Sequence, residues 1–374
     1  MKKLPLFLAA SLFAGTAGYS SPLLSIGEHA DLYATVDGSV AYTDNLTLDE
    51  SNELDDFRFI VTPGLSLELG RGLTNLNGRL AVNYGFVRYA DNTVFDTELW
   101  NITGVLDFSG PRYTADVSGG YVERQQNQSD VNADQILILQ KTGFAGGNLK
   151  YSISEKISAG VGGRFDNISY DGGSNVDRNI YSVPVNVYYE LTPKLDGTAG
   201  FRYRQTDVQD TIDYDDYFFN VGLDGALTEK LSTNARIGYQ IRELSDGGSD
   251  EGTISLISTT LFDVSERGLL RVVLNRDFVT GGEGSSIEQT GILASYQHLF
   301  TPLLTGSVTG AYDLNDYQQS SREDNTYYAR VGASYQFSAM WEANAAYTFR
   351  DNDSNLSGAS YTENLVSVGA SFRY

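Results

Sequence analysis

Apolar and polar positions alternate with period two through most of the chain. Tyr181, Val183, Val185, Val187 and Tyr189 form one such stripe. Leu231, Thr233, Ala235, Ile237, Tyr239 and Ile241 form another, and Tyr327, Ala329, Val331, Ala333, Tyr335 and Phe337 a third. Nearer the start, Phe57, Phe59, Val61, Leu65 and Leu67 share a face. Leu76, Leu80, Val82, Tyr84 and Phe86 do the same, with Asn77, Arg79 and Asn83 between them. Period two predicts strands with one apolar and one wet face. Aromatics at both ends of an aliphatic middle are the pattern of two interfacial girdles on a membrane-spanning strand. A half-buried strand of a soluble sandwich also alternates, but it has no reason to keep aromatics at both ends.

The pattern predicts strands over 32–42, 56–69, 75–89, 95–108, 112–125, 135–149, 156–169, 179–191, 195–207, 215–227, 231–243, 253–263, 269–279, 286–299, 303–314, 326–338, 341–350 and 362–374. That is eighteen, or sixteen if one hairpin is misread, and an even number puts both termini on one side. Pro63 and Pro184 fall inside strands and suggest bulges, because proline removes a ladder donor. The apolar parity shifts at Gly146-Gly147, which suggests a third bulge. In the strand over 231–243, Ile237 should face lipid and Gly238 water, so Gly238→Ser should be mild and Ile237→Arg severe.

Between the strands a short turn recurs. Ser154-Glu155-Lys156-Ile157, Thr192-Pro193-Lys194-Leu195, Thr228-Glu229-Lys230-Leu231, Ser265-Glu266-Arg267-Gly268, Thr301-Pro302-Leu303-Leu304 and Ser338-Ala339-Met340-Trp341 start at intervals of 38, 36, 37, 36 and 37 residues. Each period holds two long strands, one tight turn and one longer loop rich in Asp, Gly and Ser. A soluble β-propeller has a similar period but needs four short strands in each. The expected fold is therefore all-β: a transmembrane up-and-down antiparallel barrel with short periplasmic turns and long extracellular loops.

The ends fit that fold. Lys2 and Lys3, an apolar run from Leu6 to Ala14, and Gly15-Thr16-Ala17 read as a signal peptide over residues 1–20. Residues 21–31 are then a short periplasmic segment and 32–374 the barrel, with no room for an N-terminal plug domain. No stretch is long and apolar enough for a membrane helix, and only helices or closed barrels satisfy their backbone in lipid. The last strand carries Val366, Val368 and Ala370 and stops on Phe372-Arg373-Tyr374, an ending that looks like the signal read by the barrel-assembly machinery. Outer-membrane lipid is the other expected partner.

Charge narrows the function. Without the two leader lysines, 24 basic residues face 48 acidic ones, a balance of −24. Such acidity argues against nucleic acid. The acids gather in the expected extracellular loops: Asp44, Asp49, Glu50, Glu53 and Asp55 in one, and Asp207, Asp210, Asp213, Asp215 and Asp216 in another. Lys150, Lys156, Lys194 and Lys230 sit in or beside short turns. With 25 Tyr and 18 Phe, the chain is rich in rings for its soluble-like mean hydropathy, as alternation would produce.

The first hairpin, Tyr42-Thr43-Asp44-Asn45 followed by Phe59-Ile60-Val61-Thr62-Pro63-Gly64-Leu65-Ser66-Leu67, resembles a family of outer-membrane β-barrel porins often encoded among exopolysaccharide genes. The resemblance implies an outer-membrane channel or export-associated barrel. It carries no residue roles with it.

On the inward parity lie Arg79, Arg112, Arg124, Arg164, Arg202, Arg204, Arg236, Arg271, Arg330 and Arg373, with Asp107, Asp116, Asp196, Asp224, Asp263, Asp277 and Glu342. All of these arginines but Arg373 are the candidate pore lining. They either pair across strands to stabilise a wet interior or help line a path for a saccharide or other small solute, since guanidinium groups suit carboxylates, phosphates and hydroxyls. A barrel of this size encloses water unless a loop narrows it, and 43–55, 315–325 and 351–361 are the longest candidates to fold inward. Enzyme chemistry has little material: there is no cysteine, His29 precedes the first strand, and His298 shares the outward parity of Tyr296 and Phe300. Asp246-Gly247-Gly248-Ser249-Asp250-Glu251 could offer oxygens to Ca²⁺, but its spacing fits no calcium loop and is ordinary turn material. No cofactor or metal is expected. The reading is a porin-like channel, with a structural or adhesive barrel of closed pore as the alternative.

Overall fold

Each strand expected from the alternation is present within a few residues at either end. The structure, a computed structural model, describes residues 21–127 and 136–374; the expected signal segment lies outside the described residues. A short β1 (Leu24–Ile26) precedes β2 (Ala30–Thr43), β3 (Asp56–Leu69), β4 (Leu76–Tyr89), β5 (Thr97–Ser109) and β6 (Tyr113–Asn127). Then come β7 (Leu137–Ser152), β8 (Ile157–Asp171), β9 (Arg178–Thr192), β10 (Leu195–Val208), β11 (Tyr214–Ala226), β12 (Leu231–Leu244) and β13 (Glu251–Ser265). The chain ends with β14 (Gly268–Thr280), β15 (Ser286–Thr301), β16 (Leu304–Tyr317), β17 (Glu323–Gln336), β18 (Trp341–Ser354) and β19 (Tyr361–Arg373). Neighbours from β2 to β19 pair antiparallel, and β19 pairs with β2 from Leu365↔Thr43 to Arg373↔Thr35, so the sheet closes as an 18-strand barrel. Ala34 and Tyr374 exchange backbone bonds of 2.7 and 2.9 Å beyond that seam. β1 lies in the segment over 21–31 read as a short periplasmic one, and pairs with β2 through Leu24↔Leu32 and Ile26↔Ala30.

The wall is apolar outside and polar inside. On β12, Ile237 and Tyr239 are about half exposed, at 50% and 52%, while their neighbour Gln240 is fully buried. Outward rings meet across strands, among them Tyr42–Phe57, Tyr84–Trp100, Phe201–Phe219, Tyr312–Tyr327 and Trp341–Phe372. His298 belongs to this outer surface, with Nδ1 3.0 Å from the Tyr296 hydroxyl and its ring edge-on to Phe300.

The recurring Ser/Thr has a structural cause. Its hydroxyl accepts amide hydrogens two and three residues on: Thr228 from Lys230 and Leu231, Thr301 from Leu303 and Leu304, Ser338 from Met340 and Trp341, Ser154 from Lys156 and Ile157. Thr192 and Ser265 accept the amides of Lys194 and Arg267 in the same way. A hydroxyl at the first turn position satisfies donors that a tight reversal leaves unpaired.

Three local expectations are corrected. Pro63 and Pro184 cause no bulge: Val36↔Pro63 and Arg202↔Pro184 keep register, and only the ladder on the other side of each proline loses pairs. A strand amide points to one neighbour, so a missing N–H costs one bond and leaves the opposite ladder whole. Gly146-Gly147 also stays in register on both sides. Parity shifts there because Phe144 faces inward, with its ring close to where a side chain on Gly120 would lie and the Arg164 guanidinium 5.1 Å above it. The register irregularities lie beside short turns, at Leu195/Asp196, Asp263/Ser265 and Leu299/Thr301. Gly238 faces inward as expected, but a β-carbon there would run into the Phe219 carbonyl oxygen and crowd Asn220 Cα at 2.7 Å. Gly238→Ser is therefore not a mild change.

Candidate functional site

At the long-loop rim, two elements turn into the lumen. The first is the tip of the β14–β15 hairpin. The β13–β14 ladder stops at Leu256↔Arg276, whereas β14–β15 continues to Thr280↔Ser286, so the tip leaves the wall. It lies against the inner faces of β10–β12. Arg178 Nη1 donates to Gly281 O (2.8 Å), Val176 N to Gly282 O (2.8 Å) and Tyr214 Oη to Gly284 O (2.7 Å). Gly284 has φ +89°, a conformation that favours glycine.

Pairing register explains the latch. Arg204↔Asp216 and Asp216↔Arg242 are cross-strand pairs, so a +/−/+ row crosses three adjacent strands. The hairpin adds Asp277 to this row from four strands away. Arg202 Nη2 donates to Asp277 Oδ2 at 3.0 Å, and Arg204 Nη2 to Oδ1 at 3.1 Å. Arg204 Nε also holds Asp216 Oδ2 at 2.7 Å. Arg242 grips both Asp216 oxygens at 2.8 and 2.9 Å, and its Nη1 donates to Val279 O and Ser286 Oγ. Its guanidinium lies between the rings of Tyr214 (4.7 Å) and Phe278 (5.1 Å), and its side chain is 1% exposed. Two carboxylates thus engage all three guanidinium groups, which offsets much of the cost of burying the charges, while Arg202 Nε stays buried without a partner.

The second inward element is the loop over 44–55, anticipated as a constriction. Its buried Leu46 packs on Val87 and Tyr89 of the inner wall, with Leu54, Ile60, Phe95, Leu99 and Leu137 around them. Asn45 anchors the loop, donating to Asp49 O (2.8 Å) and Thr362 O (3.0 Å) and accepting the Asp49 amide (2.9 Å). The other anticipated loops are shorter than expected, because β16 runs to Tyr317 and β18 to Ser354.

Between the hairpin and the inner faces of β16–β19 lies a cavity of about 200 Å³. Gln289, Asn315, Thr326, Asn352 and Tyr361 line it, with Asp324 as its acid. Arg322 clamps that acid with two bonds, at 3.0 and 2.6 Å, and lies 4.3 Å over the Tyr317 ring.

The candidate arginines thus divide. Arg202 and Arg204 are latch residues. Arg79 donates to Ser66, Arg164 to Asp166, Arg236 to Asn234, Arg330 to Thr348 and Arg373 to Glu68. Arg271 and Arg124 sit on the inward parity opposite Ser295 and Gln140. Arg112 lies outside the sheet, exposed in the turn before β6. Sequence reading missed Arg242, which shares the parity of Arg236, as well as Arg178 and Arg322. In the acidic segment over 246–251, read as turn material, Asp246 Oδ1 accepts the Gly248 amide, an ordinary turn bond, and Glu251 accepts from Ser286. Among the described residues no acid/histidine group is arranged to hold a metal.

A closed 18-strand wall, wet inside and narrowed by inward loops, is the geometry of a pore. The sequence profile of the family described as "Putative beta-barrel porin 2" matches residues 31–374. The chain belongs to this family. The porin is a bacterial outer-membrane protein and a porin-like channel, and family and fold point to a non-enzymatic channel. Among solved structures, the porin resembles the outer membrane protein OpdK of Pseudomonas aeruginosa at 11% identity and TM-score 0.50, covering 92% of this chain and 99% of that one. A BenF-like porin of Pseudomonas fluorescens Pf-5 is similar to the same degree: 11% identity, TM-score 0.50, 92% and 99% covered. At such identity the likeness concerns the fold. No curated protein matches the sequence.

Proposed function

We propose that the porin passes small polar solutes, saccharides among them, through the space between its hairpin and β16–β19. One observation carries this reading. Arg202, Arg204 and Arg242 are engaged in ion pairs that hold the hairpin, whereas the neighbouring cavity is lined by Gln289, Asn315, Thr326, Asn352 and Tyr361. Neutral amides and hydroxyls exchange hydrogen bonds with sugar hydroxyls without demanding a charge. A role beside exopolysaccharide export in a Gram-negative envelope accords with the family resemblance of the first hairpin. Cleavage of a signal near residue 20, contact with membrane lipid along the outer stripes, and delivery by the barrel-assembly machinery through the strand ending at Tyr374 belong to the same reading.

Proteoliposome swelling in neutral sugars of graded size tests it. Entry of mono- and disaccharides with a sharp size cut-off is expected. Exclusion of every sugar by a folded barrel overturns it. A second reading, a structural barrel with a closed pore, is favoured by the inward packing of Leu46 and of the β14–β15 tip. Lack of any conductance in planar bilayers would select it.

A further inference from the structure

The departure of β14 from the wall has an outer consequence. Above Leu256↔Arg276, β13 and β14 are no longer paired with each other, and a groove of about 720 Å³ opens on the outside of the barrel. Its walls are Ile237 and Tyr239 of β12, Ile254 and Leu256 of β13, Leu274 of β14 and Ile292 of β15. Ile237, Tyr239, Ile254 and Ile292 are exposed and continuous with the lipid-facing stripes, so the groove opens to the bilayer. It lies toward the long-loop rim, at the level of the outward Tyr239 and Tyr312. At its head sits Arg276, a cation on the outward face of the wall. Arg276 shares outward parity with Leu270, Val272 and Leu274, and its side chain is 44% exposed. Its Nε donates to Thr253 Oγ1 (3.1 Å) and its Nη2 to Glu288 Oε1.

An arginine facing lipid is costly unless it reaches the interface or meets an anion. Here it stands at the aromatic girdle, above an apolar cleft, with only part of its donor fork engaged by one carboxylate. We propose that this groove binds one phosphate-bearing acylated lipid of the outer leaflet, its chain along Ile254, Leu256 and Leu274 and its phosphate on Arg276. Guanidinium suits a phosphate because it can offer two parallel N–H donors. Glu288 competes for the same donors and tunes the affinity. The site faces away from the lumen and does not depend on which solute the channel passes.

Dodecyl phosphate is a suitable probe, titrated against the folded full-length barrel in a neutral detergent and counted by native mass spectrometry. One saturable equivalent is expected, with no competition from inorganic phosphate and at least tenfold weaker retention of dodecanol. Arg276→Gln should weaken binding about tenfold or more, and Ile254→Trp should block it by filling the cleft. Glu288→Gln should tighten binding several-fold, since it removes the competing carboxylate. Heat-dependent gel mobility identifies the folded variants to be compared. Unsaturable binding, equal retention of dodecanol, or weakening by Glu288→Gln overturns the proposal. So does unchanged binding in folded Arg276→Gln.

Discussion

Arg204 on β10 and Asp277 on β14 meet at 3.1 Å, although three strands stand between theirs in the wall. Only a chord across the lumen permits that contact. The arginine that parity marks as pore lining is thus a fastening for the element that narrows the pore.

Removing the fastening should widen the channel. Asp277→Asn leaves Arg202 and Arg204 without their shared carboxylate and frees the hairpin tip. Single-channel recordings should show larger conductance and more frequent flicker than wild type. Unchanged conductance would mean that the tip holds its place through Arg242 and its backbone contacts alone.

Asp216→Asn should harm stability more than gating. Its side chain is 0% exposed and serves both Arg204 and Arg242. Breaking a buried pair from one side costs about 3–5 kcal/mol, to be read as a lower urea midpoint in refolding titrations. An Asp216→Asn/Arg242→Gln double variant should lose less than the sum of the single losses, because the charges are coupled.

On β12 two adjacent residues should both be intolerant, for different reasons. Ile237→Arg puts a charge against lipid, at a cost of about 2–4 kcal/mol near the midplane. Gly238→Ser forces a side chain into the β11 backbone, and its folding yield should fall despite the wet surroundings. Arg236→Gln, on the same inner face as Gly238, should fold like wild type by heat-dependent gel mobility.

Leu46→Ala should loosen the loop over 44–55. Truncating a buried leucine costs about 2–5 kcal/mol locally. The expected readouts are faster protease cleavage within 44–55 and higher conductance, with the wall intact by circular dichroism.

Wild type should prefer cations weakly at low salt. Asp216 and Asp277 offset two of the three latch arginines, whereas the acids of the rim loops stand largely without basic neighbours in the sequence. The preference should fade as salt screens the rim over about 10 Å at 0.1 M. Reversal potentials across a salt gradient measure it, and a strong anion preference would contradict it.

The wall was legible because alternation, aromatic ends and a hydroxyl at each of the six recurring tight turns are local consequences of facing lipid on one side and water on the other. Arg242 was missed, although its parity with Arg236 marks it as inward. The hairpin tip was not legible. Gly281-Gly282-Glu283-Gly284-Ser285 has the length and composition of any exposed turn, and its inward course depends on Arg178, Tyr214 and Asp277 meeting across the lumen. Phe144 misled for a related reason: alternation assumes that a ring belongs outside, and this one covers Gly120 and Arg164 on the inside. The packing of Gly238 against Phe219 likewise belongs to a neighbouring strand and leaves no trace in the spacing of β12.

The hydroxyl-capped turns give the barrel a modular grammar. Each hairpin from β8–β9 to β16–β17 begins and ends on the same rim with the same reversal, so its neighbours see an equivalent edge whatever its opposite loop contains. A hairpin copied in place could join the ring without re-registering the rest, taking eighteen strands to about twenty and enlarging the bore. Loop length, by contrast, accumulates on one rim only. Variation in what the channel admits and variation in how wide it is can therefore proceed independently, one by rewriting loops and the other by repeating hairpins.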